Sequence, residues 1–350
     1  MRLFDCCCGN TLYFDNTLCT ACGRKVGWCA ACHGVQALEP EGDHWRCTAC
    51  AAELLLCANY ASEEVCNRTV LPGGAALCDC CELNATVPDM NVAGNREKWA
   101  RLEAAKRRLI FALDRLGLPH ARDGVVPLSF AFMGDPEGEG LWRAAGEAER
   151  VYTGHAEGLI TINIREADPA EREQIRVDMG EAHRTLIGHF RHEIGHYYWD
   201  LLVRDDPALL EGFVALFGDP QDPPYGVALE RHYAEGPPAD WAERHVSAYA
   251  SMHPWEDWAE TWALYLDIAS VLDTAVSLGL MSGAVLGDLP DMLARYRRMG
   301  RALNELNREM GLLDFAPAVI SGPVEEKLAF VHRVVSGAGR GGFLDNGAAL

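Results

Sequence analysis

In the stretch RHEIGHYYWD, residues 191–200, His192 and His196 stand one helical turn apart with Glu193 beside the first of them. Side chains at i and i+4 leave one face of a helix, so two imidazoles there can chelate one zinc ion. The intervening carboxylate can then take a proton from a water that the metal has acidified. Two ligands do not complete such a site, and a third must come from elsewhere. A histidine six residues after His196, as in the three-histidine zincins, is excluded because Leu202 stands there. Downstream, HPWEDWAETWA, residues 253–263, offers Glu256 and Glu260 one turn apart on a helix started by Pro254. Glu256 is the preferred metal ligand and Glu260 the acceptor for the free ring N–H of a ligating histidine. His232, His245 and His253 are rivals for the third position, and His232 is equally a candidate to polarise a substrate carbonyl or steady an intermediate. His189 is read as a supporting or core histidine. Asp200 is read as an orienting partner of His196 or as a solvated carboxylate, and the tryptophans beside Glu256 as core.

Elements must hold these groups in place. A helix over roughly residues 180–204 carries the two histidines, a loop containing GDPQDPPYG and EGPPAD follows, and a second helix begins near Pro254. Upstream, Asn95 is an N-cap for a helix in which Trp99, Leu102, Leu109, Leu113 and Leu116 recur at helical spacing until Gly117 and Pro119 stop it. VPLSFAFM (126–133) and EGLITINIRE (157–166) read as strands, the second from its strict alternation. Asp168, Pro169 and Glu171 have the types of an N-cap, a first-turn proline and a capping-box acid. More helices run to about residue 336, and SGAGRGGFLDNGAAL reads as a loose tail.

All fourteen cysteines lie between Cys6 and Cys81. Four Cys-x-x-Cys pairs, Cys19/Cys22, Cys29/Cys32, Cys47/Cys50 and Cys78/Cys81, each present two thiolates from one knuckle, as structural zinc requires. The clearest four-ligand set is Cys29, Cys32, Cys47 and Cys50. Cys6 and Cys8 complete a set with Cys19 and Cys22, with Cys7 as an alternative to either. Cys57, Cys66, Cys78 and Cys81 make a third, less regular set, and buried thiols are the other reading of it. A disulfide framework would need the secretory leader that the first twenty residues, with Asp5, Asp15 and three cysteines, do not resemble. Such a short, turn-rich segment has no core of its own and relies on metal to fold.

The 350 residues are 49% hydrophobic, which suits a globular chain of two or three domains, and no run of eighteen apolar residues appears. A formal charge of −20 argues against nucleic acid and anionic membranes as partners. Residues 1–90 carry five cations against eleven acidic groups. A cytoplasmic location is expected.

Around Glu256 the chain resembles the glutamate-zincins, such as thermolysin and the lethal-factor-type proteases, which use a helix-borne glutamate as third ligand and an acid four residues on. The lethal-factor type also carries a tyrosine seven residues before that glutamate. By that resemblance Tyr249 would hydrogen-bond the oxyanion of a tetrahedral intermediate. The strand ahead of the helix would be the edge that pairs with an extended peptide, through residues 158–163 with Gly158, Ile160 and Ile162. Most of the polypeptide, from CGNTLYFDN through NREKWARLEAAKRRL, TGHAEGLITINIREAD, FRHEIGHYYWD and SAYASMHPWEDWAETWALYL to VEEKLAFVH, is similar to the bacterial zinc-binding metallopeptidases that join N-terminal zinc ribbons to an HExxH domain. Cys6-Cys7-Cys8 departs from the usual two-residue spacer of a first knuckle.

The expectation is an α+β protein: a cysteine-rich zinc-ribbon module over 1–90, a mainly helical zincin-like domain with a small β-sheet over 91–336, and a flexible tail over 337–350. It is expected to hydrolyse a peptide or protein substrate with one catalytic zinc, two or three structural zinc ions and Glu193 as general base. The competing expectation from another class is a non-catalytic adaptor, zinc-stabilised, that binds protein partners through its ribbons.

Overall fold

The computed structural model describes residues 1–120, 127–134, 151, 153–178 and 184–339. By internal contacts the chain divides into two compact units, one formed by Met1–Ile110 with Leu128–His189 and the other by Phe111–Pro127 with Phe190–Leu350.

The first unit begins with a hairpin of β1 (Phe4–Asp5) and β2 (Thr11–Leu12). An antiparallel five-stranded ribbon follows, with β3 (Val26–Cys29), β4 (Gly34–Glu41), β5 (His44–Cys47), β6 (Glu53–Leu56) and, after the single-turn α1 (Ala58–Ala61), β7 (Thr69–Val70). Its core is small. Cys29, Leu38, Cys47 and Leu54 are buried together, so two of the four residues are themselves candidate metal ligands. A segment with so few apolar side chains needs cross-links to hold its shape.

Next come β8 (Asn84–Thr86), α2 (Asn95–Leu116), β9 (Ser129–Met133), β10 (Gly154–Ala156) and β11 (Leu159–Asn163). The four strands form a mixed sheet in the order β10-β11-β9-β8. Ile160 and Ile162 are fully buried while Leu159, Thr161 and Asn163 are not, the alternation expected of a strand with one face on a core. β11 is nevertheless an interior strand. It pairs in parallel with β9 on one side and antiparallel with β10 on the other, so Leu159, Ile160 and Thr161 have partners on both edges. Of the residues 158–163 expected to pair with a substrate backbone, with Gly158, Ile160 and Ile162 among them, 159–161 have that edge occupied by β10.

Helix α3 (Pro169–Asp178) starts as its cap predicts: Asp168 Oδ1 accepts from the backbone N–H of Ala170 at 2.8 Å and of Glu171 at 3.2 Å. The reciprocal half of the capping box is not made, since Glu171 pairs with Arg165 instead.

The second unit is helical. Helix α4 (Leu186–Tyr198) widens at its end into a π-helical turn, Trp199–Val203. The segment expected as loop between the two site helices is mostly helix: α5 (Pro207–Phe217), α6 (Tyr225–Glu235) and the short α7 (Trp241–Arg244) occupy it. Asp206 caps α5, accepting from the N–H groups of Ala208 and Leu209 ahead of Pro207 at the first turn. α8 (Pro254–Ser277), α9 (Leu289–Glu309) and α10 (Gly322–Gly339) complete the unit. Residues 337–339, expected at the start of a tail, are the last turn of α10, and residues 340–350 lie outside the described residues. Trp258, Trp262, Tyr197, Tyr198, Tyr265, Phe213 and Phe330 are among the large buried side chains of this core. No helix among the described residues is long and apolar enough to cross a membrane.

Candidate metal centre

All twelve cysteines expected as ligands are drawn into three tetrads: Cys6, Cys8, Cys19 and Cys22; Cys29, Cys32, Cys47 and Cys50; Cys57, Cys66, Cys78 and Cys81. None of the fourteen thiols is in a disulfide. The Sγ–Sγ separations are 3.7 Å for Cys6–Cys22, Cys8–Cys19 and Cys29–Cys50, 3.8 Å for Cys66–Cys78 and 3.9 Å for Cys32–Cys47. A zinc ion bound tetrahedrally by sulfur at about 2.3 Å sets sulfur–sulfur edges of about 3.8 Å, whereas a disulfide would bring them to about 2 Å. The tetrads fit zinc ribbons. Cys7 is exposed and Cys80 is buried, and neither belongs to a tetrad.

A fourth ligand group lies in the helical unit, where His192 and His196 of α4 meet Glu256 of α8. His192 Nε2 is 3.2 Å from His196 Nε2 and 3.0 Å from Glu256 Oε2, and His196 Nε2 is 3.6 Å from the same oxygen. Zinc with nitrogen and oxygen ligands at about 2.0–2.1 Å gives tetrahedral edges of about 3.3 Å. The three observed edges bracket that value.

The close approach of the two helices is a packing fact. A Cβ on Gly195 would stand 3.0 Å from Ala259 Cα and 3.2 Å from Trp262 Cβ, so only glycine lets α8 come this near. Trp258 Nε1 donates to the Gly195 carbonyl at 2.8 Å and fixes the rotation of one helix against the other. Glu256 sits in the first turn of α8, where the free N–H groups of the helix end favour a carboxylate. His253 is the N-cap: its Nδ1 accepts from the Trp255 N–H at 3.1 Å.

Each member of the group is held from behind. Glu260 Oε1 lies 2.6 Å from His192 Nδ1, so that nitrogen carries the proton and Nε2 turns its lone pair toward Glu256 and His196. A lone pair 3.0 Å from a carboxylate oxygen is repulsive unless a cation or proton lies between them. Glu256 Oε2 is also buried with no donor aligned on it, while Oε1 accepts from the Tyr225 hydroxyl at 2.9 Å. Buried acceptors are rarely left in this state, and the donor set, two imidazoles and a carboxylate, is one that zinc takes.

With no metal between them, the same groups favour a proton on His192 in the place a cation would take. Burial opposes a charge on His192, but Glu256 and Glu260 outweigh it and hold the imidazole well above its usual range. Burial also works against ionised Glu256, yet His196 and His192 hold its carboxyl well below the usual carboxylate range. Glu193 is buried in the same cluster, and there burial pushes the carboxyl up.

Around this centre, Tyr249 lies on a single 3₁₀ turn (Tyr249–Met252) with its ring 6.1 Å from that of His192, and burial raises its phenol. His232 of α6 packs edge-on against Tyr249 at 6.0 Å and lines a cavity of about 250 Å³ with Ala228, Ser251 and Met252. The other rivals for the third ligand have different work. His253 is a helix cap, and His245 lies 3.2 Å from Asp257 beside a buried Lys327–Asp257 pair of 2.5 Å. His189 stands 3.5 Å from Glu166 within the first unit. Asp200 pairs with Arg204 at 3.0 Å. Of the tryptophans, Trp258 and Trp262 are core, but Trp255 is half-buried with its ring 4.0 Å from His196. Tyr225 was invisible in the sequence pattern.

Residues 95–334 match a protein family described as "putative zinc-binding metallo-peptidase". The chain belongs to that family. Residues 3–92 match a zinc-ribbon domain. The metallopeptidase is also similar to an uncharacterized protein of Mycobacterium bovis and to two of Mycobacterium tuberculosis, each 42% identical over 350 residues, covering 96% of this chain and 95% of theirs. No solved structure matches it. Family and fold agree: an α+β zinc-binding metallopeptidase, largely helical with small sheets, preceded by zinc ribbons.

Proposed function

We propose that the protein hydrolyses peptide bonds at the His192–His196–Glu256 centre, with zinc held by the two Nε2 atoms and Glu256 Oε2. The observation that carries this reading is the convergence of those three atoms at tetrahedral-edge distances beside a buried, undedicated glutamate. Bound there, zinc supplies a water of near-neutral pKa and an electrophilic contact for the scissile carbonyl. Glu193 takes the proton from the attacking water and returns it to the departing amide nitrogen, a role suited to a carboxyl whose affinity for protons burial has raised. Tyr249 Oη donates to the carbonyl oxygen as negative charge gathers on it, and His232, packed on Tyr249, supports that face of the site. Glu260 keeps His192 in the tautomer that presents Nε2. Asp200, one turn beyond His196, would orient that histidine. The three thiolate tetrads serve folding.

Glu193→Gln tests the reading. The variant is expected to retain all of its zinc and to lose about 10²–10⁴-fold in peptide hydrolysis, the usual share of general acid–base catalysis. Undiminished turnover of a cleavable peptide would remove Glu193 from the chemistry.

A further inference from the structure

We propose that Tyr225 is a positioning residue for the zinc centre, which dedicates one oxygen of Glu256 to the protein and leaves the other for the metal. The inference rests on the reading of Glu256 as a ligand. The carboxylate is divided between two environments: Oε1 accepts from the Tyr225 hydroxyl at 2.9 Å, while Oε2 faces His192 Nε2 at 3.0 Å and His196 Nε2 at 3.6 Å. A carboxylate free to rotate can offer both oxygens to one ion, which would occupy the open corner that a catalytic site must keep. A phenol donating to one oxygen removes that freedom.

The tyrosine is itself fixed. It is the first residue of α6, and its ring packs edge-on at 5.2 Å against His253, the N-cap of the helix that bears Glu256, and lies 6.1 Å from Trp255. Glu260 fixes His192 on one side of the site, and Tyr225 does the same for Glu256 on the other. Outer partners of this kind typically change metal affinity 10–100-fold when removed.

Tyr225→Phe keeps the ring and deletes the donor. Zinc release from the holoprotein to a chromogenic chelator, in parallel with thermal unfolding, is the measurement. The expected result is a 10–100-fold loss of affinity for one zinc per chain, with the thiolate-bound zinc and the unfolding temperature unchanged. Affinity within twofold of the parent would overturn the proposal, since a ring with only a packing role is preserved in the variant. Glu256→Ala separates this failure from that of the underlying reading. If that variant also keeps every zinc, Glu256 is no ligand; if it loses one while Tyr225→Phe loses none, only the role of Tyr225 falls.

Discussion

At the scale of single residues, the centre is a set of assignments between atoms. His192 uses both ring nitrogens, one toward Glu260 and one toward the ligand group, and Glu256 likewise uses both oxygens. Tyr249 stands apart from this set: its ring packs near those of His192 and His232, and it holds no candidate metal ligand by a hydrogen bond. Tyr249→Phe is therefore expected to leave the zinc content and KM near those of the parent and to lower kcat about 10²–10³-fold, the cost of one oxyanion donor. A change confined to KM in steady-state assays would assign Tyr249 to substrate binding. The grouping of His192, His196, Glu256 and Glu260 was legible because helical spacing predicts which side chains share a face. Tyr225 was not, because it lies 31 residues before Glu256 in a proline-rich stretch with no period, and only the fold brings the two together. Trp255 reads as core with Trp258 and Trp262 because positions i, i+3 and i+7 share one helical face, and the sequence does not say that the first of them, at the start of α8, lies against His196.

Elements set the distance between those atoms. The α4–α8 crossing depends on Gly195, whose missing side chain admits the Ala259 backbone. Gly195→Ala would place a methyl group 3.0 Å from Ala259 Cα, an obstacle made of backbone that cannot swing aside. The expected cost is about 1–3 kcal/mol from overpacking, read as a lower unfolding midpoint, together with weaker zinc binding at the histidines as α8 is levered away. Full stability and full affinity would show that the crossing has slack. Both site helices were legible in outline from their histidine and proline signals, and so was α3 from Asp168 and Pro169. The segment between the site helices was misread because its prolines and glycines were taken as loop chemistry, although Asp206-Pro207 is a helix start and Gly218 and Gly236 end α5 and α6. β11 was recognised as a strand, but alternation reports which face is buried and is silent on what lies at each edge. The residues that close that edge, Gly154–Ala156, form a strand too short to carry a pattern.

At the scale of the whole molecule, the described residues hold two chemically distinct kinds of candidate metal site, three of four thiolates each and one of two imidazoles and a carboxylate. Grouping the twelve tetrad cysteines was legible because knuckle spacing leaves few ways to share them, and even the compressed Cys6 and Cys8 pair with Cys22 and Cys19. Soft thiolates hold zinc with a strength that the harder nitrogen and oxygen set does not match, and each tetrad is also a folding cross-link. Graded chelation of the purified protein, followed by metal analysis and circular dichroism, is expected to release one zinc first with loss of peptidase activity and little change in structure, then the remainder together with unfolding of the ribbons. Simultaneous release would mean that the sites do not differ in this way. Release in that order would make the protein a gauge of its surroundings: where the ion is scarce, the scaffold would stay assembled and wait, and the proposed catalysis would resume on resupply without a new round of folding.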